Sequence, residues 1–257
     1  MLDKENVLKE FLSFVSQFSE SDIRVQYKKG HTFRVADNCK QIAEGISLSD
    51  DDIYLAWLCG MLHDIGRFKQ VEERETFRDS KDFTHAEYGC KILFEEGLIS
   101  RFCDKKDWYD ILYKAIYNHS FLALPGGLTR REELFCNIVR DADKIDIIYG
   151  ALTNNFRMFH EHTEEEIQDS DITKNAVSYF YRHELIPFAD MKTPADYFLR
   201  VYAFYFGLVF PCSYEIVDKQ GEFDKMLCYR FKKDNNQKQF DVIKNCLMEY
   251  KRQVLLS

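Results

Sequence analysis

Proline and glycine are scarce in this chain, 4 and 11 in 257 residues. With so little punctuation, helical periodicity dominates from end to end. The 8 cysteines stand singly at 39, 59, 90, 103, 136, 212, 228 and 246, with no C-x-x-C pair. The charged opening, MLDKENVLKE, has no apolar h-region, so the cysteines read as reduced core residues of a cytosolic, cytoplasmic protein. The longest uncharged stretch, VYAFYFGLVFPCSY at 201–214, falls short of the ~20 apolar residues that span a bilayer, and Pro211 interrupts it. It reads as a buried helix, and no membrane partner is expected. Basic residues are the minority, 35 against 43 acidic ones, for a net charge of −8. That excludes a general grip on extended nucleic acid, which needs a basic footprint. A small phosphorylated substrate stays open, because a metal and a few local cations can supply the field. The motifs G-x-x-x-x-G-K, G-x-G-x-x-G and G-x-S-x-G are absent, and HELIP at 183 has Pro187 where a zincin helix has its second histidine.

What is present is apolar and aromatic, 46% and 15% of the residues, which marks a globular chain. Residues 5–18 carry Val7, Leu8, Phe11, Leu12, Phe14, Val15 and Phe18 at helical spacing, and His31, Val35, Cys39, Ile42 and Ile46 continue a second stripe. Residues 52–64 are apolar nearly all round, as in a helix buried on every side, with Gly66 a stop signal just beyond. The charge-alternating segment 67–83 reads as a solvated connection. Helices are expected from near His85, over about 106–120, over 130–149 and over 237–252, with a loop at LALPGGL. Residues 161–171 form an acidic surface run, and 214–229 reads as helix or hairpin. No repeat, Pro/Ser-rich linker or low-complexity tract divides the chain, so 1–257 is expected to be one all-α domain.

Four of the seven histidines fall at the margins of these helices: His31 and His85 begin one, His63 and His119 end one. Each lies on or beside an apolar stripe, so all can point inward near one end of a bundle. Asp64 follows His63 directly, and an aspartate entering a core needs a partner or a cation. Helical bundles build metal sites from inward histidines and carboxylates. Imidazole suits Zn, Fe, Mn, Co and Ni, and carboxylate also suits Mg and Mn. In RDADKID, Asp141 shares a stripe with Leu134, Ile138, Ile145 and Ile148, whereas Asp143 lies with Cys136, Val139 and Ile147; periodicity admits either as a site residue. His160 and His162, beside three glutamates, and His183, before Pro187, read as ordinary surface or helix-end residues.

The ordered set His31 … His63-Asp64 … Asp143, in the contexts GHTFRVADNC, LCGMLHDIGRF and RDADKID, resembles the H…HD…D signature of the HD-domain superfamily of metal-dependent phosphohydrolases. HAEYG at 85–89 and NHS at 118–120 resemble the added histidine segments of its two-metal members. The resemblance covers roughly residues 25–150, and residues 151–257 form a helical extension of no assigned role. It implies a compact all-α helical bundle of the HD type with additional C-terminal helices. It further implies that His31, His63, Asp64 and Asp143 hold one metal, and that Asp64 bridges to a second held by His85 and His119. Asp143 is favoured over Asp141 because the family's ligand precedes a turn written much like ADKID. Arg67 and Lys144 become candidate phosphate contacts, Arg67 standing where some members have lysine. No GYP tripeptide follows the doublet, so cyclic-di-GMP is not specifically supported.

The implied function is hydrolysis of a small-molecule phosphate ester, with a nucleotide the expected class. Two divalent ions (Mn, Fe, Co, Ni, Mg or Zn) would share a hydroxide and depress its pKa. Asp64, Arg67 and Lys144 would be the catalytic residues. Two alternatives use the same residues: a di-iron oxygenase of the inositol-oxygenase-like branch, and a catalytically silent nucleotide-binding module. A single metal would instead leave His85 and His119 structural or substrate-binding.

Overall fold

The computed structural model describes residues 3–152 and 161–256. Among these the chain is all-α, and its one β-type pairing is an isolated bridge between Ser80 and Phe83. It divides into two compact units, Met1–Asp143 and Lys144–Ser257.

The first unit contains α1 (Lys4–Val15), α2 (Ile23–Gly45), α3 (Asp50–Leu62), α4 (Ile65–Arg74), α5 (His85–Cys90) and α6 (Tyr109–Asn118). It ends within α7 (Arg130–Gly150), and a π-helical turn, Lys91–Glu95, extends α5. Helix α3 starts on Ser49, whose hydroxyl accepts the Asp52 N–H, and carries Asp50, Asp51 and Asp52 in its first turn. Negative charge there suits the helix dipole. Every residue from Tyr54 to Leu62 is buried, as the all-round apolar pattern predicts. Complete burial of a side chain such as Leu55 or Leu58 contributes about 1.5–3 kcal/mol each. Helices α2 and α3 approach closely where Gly60 faces Ala36; a Cβ at residue 60 would lie 2.7 Å from the Ala36 Cα.

The second unit holds α8 (Glu164–Asp169), α9 (Lys174–Arg182), α10 (Pro194–Ala203), α11 (Pro211–Gln220), α12 (Glu222–Met226) and α13 (Asp234–Leu256). The 214–229 segment resolves as helix: α11 stops at Gly221, which has φ 73°, and α12 follows. The buried helix expected over 201–214 is instead three pieces. Helix α10 ends at Ala203, a 3-10 turn covers Phe204–Gly207, and α11 begins at Pro211. Proline lacks the N–H that a continuing helix needs, so it opens a new one. The acidic run 161–171 contains α8, set by a capping box between Thr163 and Glu166, and it buries Ile167 and Gln168. His162 packs edge-on to Tyr197, and His183 caps α9 with φ 55°. His160 lies outside the described residues.

Two further expectations change. The segment 67–83 is not a plain solvated connection, because Arg67–Arg74 completes α4 and buries Phe68, Gln70 and Val71. The charges had masked a stripe at 68 and 71, together with a glutamine that is buried because its amide is fully used. Of the cysteines, 39, 59, 90, 103 and 136 are buried, but Cys212 and Cys246 are only partly so and Cys228 is exposed. No helix among the described residues is long and apolar enough to cross a membrane.

Candidate metal centre

The histidine–aspartate doublet occupies the joint between two helices. His63 caps α3, Asp64 leaves helical geometry (φ −109°, ψ 18°), and α4 starts at Ile65. The last carbonyls of a helix have no intrahelical partner, and His63 uses one: its Nδ1–H donates to the Gly60 carbonyl at 2.7 Å. His119 repeats the device at the end of α6, donating Nδ1–H to the Ile116 carbonyl at 2.7 Å. His85 opens α5, and its Nδ1–H donates to the Asp79 carboxylate at 2.7 and 2.9 Å. With Nδ1 protonated in all three rings, each Nε2 carries a bare lone pair.

Those Nε2 atoms converge on Asp64. Its Oδ2 lies 3.4 Å from His31 Nε2 and 3.5 Å from His63 Nε2. Its Oδ1 lies 3.4 Å from His85 Nε2 and 3.6 Å from His119 Nε2. His63 and His31 face each other Nε2 to Nε2 at 3.3 Å, and His85 and His119 at 2.9 Å. Thus one carboxylate joins two groups of potential ligand atoms, His31–His63–Asp64 and Asp64–His85–His119, each gathered within 4.8 Å and all buried. Asp143 Oδ1 adjoins the first group, 3.2 Å from His31 Nε2 and 4.0 Å from His63 Nε2. A hydrogen bond from the Asn38 side chain to the Ala142 carbonyl, 3.3 Å, ties α2 to α7 beside it. Asp141 is fully buried.

Electrostatics follow from burial and crowding. Burial alone pushes the Asp64 carboxyl up, but the Lys28 ammonium and the His63 imidazole outweigh it and hold it well below the usual range. Burial likewise opposes ionisation of Asp143, and His31 overcomes it. Burial lowers His63, with Asp64 opposing the shift. Burial, reinforced by the charge of Arg67, pushes His85 down to about 3. At neutral pH, therefore, Asp64 and Asp143 are ionised, and burial favours the neutral form of His63 and His85.

Such a cluster is rich in acceptors and poor in donors, which is costly in a low-dielectric interior unless a cation is present. On the Oδ2 side Lys28 supplies one, its Nζ 2.6 Å from Asp64. On the Oδ1 side the Arg67 Nε stands 3.5 Å away, buried and without a hydrogen-bond partner. Two lone pairs 2.9 Å apart beside that oxygen fit a divalent ion, for which imidazole nitrogen and carboxylate oxygen are suitable donors.

Arg67 is otherwise committed: its Nη1 donates to the Gln70 side chain at 2.7 Å and to the Phe77 carbonyl, and pairs with Asp79 at 3.2 Å. Lys144 is buried, and its stem passes close to Gly207. Sequence reasoning missed Lys28 and Asp79. Lys28 lies one helical turn before His31 on α2, a spacing that could have signalled it. Asp79 sat inside the charge-alternating segment, where nothing distinguished it from its neighbours.

An all-α fold that buries two such ligand groups around a shared aspartate defines a helical domain able to hold metal. Residues 29–148 match the family model of the HD domain. That match places residues 29–148 in the HD superfamily of metal-dependent phosphohydrolases. Comparison with curated proteins and with solved structures returns no match.

Proposed function

We propose that the chain hydrolyses a phosphate ester of a small molecule, a nucleotide being the expected class, using two divalent ions. His31, His63, Asp64 and Asp143 would hold one ion, and Asp64, His85 and His119 the other. The observation that carries this reading is the sharing of Asp64: each of its oxygens faces a separate pair of imidazole lone pairs. Bound divalent ions supply Lewis acidity and an activated water for attack on phosphorus.

The protein's own groups prepare the rest. Asp64 and Asp143 stay ionised, so two cations meet compensating charge. The Nδ1 anchors on Gly60, Ile116 and Asp79 prevent the rings from turning their lone pairs away. Lys28 and Arg67 flank opposite oxygens of Asp64 and bring positive charge to where a phosphoryl group would lie. Lys144, directly after Asp143, is a third candidate contact.

The test is metal content per chain after purification without chelator, then turnover of p-nitrophenyl phosphate, bis-p-nitrophenyl phosphate and a nucleotide panel with Mn, Co, Ni or Mg. Two ions per chain and metal-dependent phosphate release are expected, and Asp64→Ala should abolish both. Full activity in that variant would sink the site assignment. Two irons with dioxygen consumption and no phosphate release would replace the hydrolase by the oxygenase.

A further inference from the structure

We infer that Asp79 is a positioning residue, the group that makes His85 a ligand and so builds the second half of the centre. The inference rests on the two-metal reading. The histidines differ in what orients their rings. His63 and His119 end their helices and orient their rings on a carbonyl three residues back in their own chain. His85 is the first residue of α5, with no preceding turn to offer such a carbonyl. An outside acceptor has to fix its ring, and Asp79 is that acceptor.

The Asp79 carboxylate takes both hydrogens that His85 presents on this side. Its Oδ1 accepts the His85 backbone N–H at 3.1 Å, an N–H that the start of a helix leaves without a partner. The same carboxylate accepts the ring Nδ1–H at 2.7 and 2.9 Å. Main chain and ring are thus held by one group, and Nε2 is aimed at Asp64 Oδ1 and His119. A carboxylate on the far nitrogen also raises the basicity of a ligating imidazole.

Asp79 is itself held. The Gln70 side-chain amide donates to it at 3.0 Å, and Arg67 pairs with it at 3.2 Å. Arg67 and Gln70 are one turn apart on α4, directly after the doublet, so one helix carries Asp64 and also clamps the loop that delivers Asp79. Gln70 is wholly buried, and its amide reaches the Arg78 carbonyl at 3.1 Å as well. The segment with the charge pattern of a solvated connection is therefore a bracket for His85.

The test is a Mn2+ titration of the full chain, read by calorimetry and by the EPR signature of a coupled Mn pair. In the wild-type chain two ions and the coupled signature are expected. Asp79→Ala should keep the first ion and weaken the second about 10- to 100-fold, the usual cost of losing such a partner, with the coupled signal lost at stoichiometric Mn2+. Asp79→Asn retains an oxygen for Nδ1–H but not the charge, so its loss should be smaller, and it serves if the alanine variant fails to fold. Two ions at wild-type affinity in these variants, with only a lower melting temperature, would overturn the assignment and leave the two-metal reading standing. A wild-type chain that takes up one ion at most would overturn both.

Discussion

Gly66, two residues beyond Asp64, is where α4 and α5 touch, and adding one methyl group there tests how the centre is built. A Cβ at Gly66 would lie 2.1 Å from the His85 carbonyl oxygen, 2.6 Å from the Gly89 nitrogen and 3.1 Å from the Gly89 Cα. All three are backbone atoms, so no rotamer change relieves the clash. Ordinary non-bonded contacts sit near 3.5 Å, so α5 must retreat by about 1 Å or more. Overpacking of this kind costs about 1–3 kcal/mol, and this contact belongs near the upper end. Alanine returns up to about 1 kcal/mol of helix propensity. The net for Gly66→Ala is then about 2 kcal/mol of destabilisation. For a chain of this size that is a fall in melting temperature of about 4–8 °C.

The consequence for the centre is sharper. Metal–ligand distances tolerate about 0.2 Å, and His85 is the residue whose carbonyl is struck. Gly66→Ala should therefore lose the second ion while keeping the first. Thermal melts of metal-free protein and a Mn2+ titration read both effects. Gly126 is the control: its Cβ would meet nothing within 4 Å, so Gly126→Ala should melt within about 1 °C of wild type, consistent with an unconstrained surface substitution. A Gly66→Ala protein that melts like wild type and binds two ions would refute the claim that this close approach sets the position of His85.

Lys28→Met keeps the side-chain stem but removes the cation beside Asp64, leaving a buried carboxylate uncompensated. Breaking such a pair costs about 3–5 kcal/mol, so metal-free protein should melt much lower, and Mn2+ should restore most of the loss; an unchanged gap between metal-free and loaded melting temperatures would count against Lys28 as the counter-ion. Native protein at pH 8 should react with a thiol reagent first at Cys228, with Cys39, Cys59, Cys90, Cys103 and Cys136 silent until denaturant is added. Burial pushes the Cys90 thiol up to about 12 and Cys136 up to about 11. Their folded values lie above the unfolded one, so this stability is intact below about pH 8.5 and is lost as pH rises toward 11–12. Each thiol contributes a fall of about 1 kcal/mol per pH unit. Urea melts at pH 8 and pH 10 check this, and replacing both cysteines by alanine should flatten that part of the slope.

Much of the fold was legible in the sequence because helical burial is periodic and local. The all-round apolar run of α3, the polar break at His63-Asp64 and the long periodic stretch of α7 each report their surroundings without help from distant residues. The histidines and Asp64 were legible as a set for the same reason: each marks a place where an apolar stripe meets a polar residue at a helix margin. Periodicity could not separate Asp141 from Asp143, since both lie on inward-facing stripes of α7. The family resemblance favoured Asp143, and the fold places its Oδ1 3.2 Å from His31 Nε2. Charge alternation hid Asp79 and Gln70, because a carboxylate that braces a buried ring looks like any surface acid until the loop that carries it is folded back. The run 201–214 misled in the opposite sense, largely apolar yet broken after Ala203 by a 3-10 turn, with a new helix opening at Pro211.

The amino-acid order by itself determined which residues could be ligands and which helices would carry them, since spacing along a helix dictates which face a side chain takes. Tertiary structure alone decided which cations flank the shared carboxylate and which acid holds the ring of His85. Those choices depend on side chains 36 residues apart for Lys28 and Asp64, 6 for Asp79 and His85 and 3 for Asp64 and Arg67, and their meeting is set by how closely backbones approach at points such as Gly60 and Gly66.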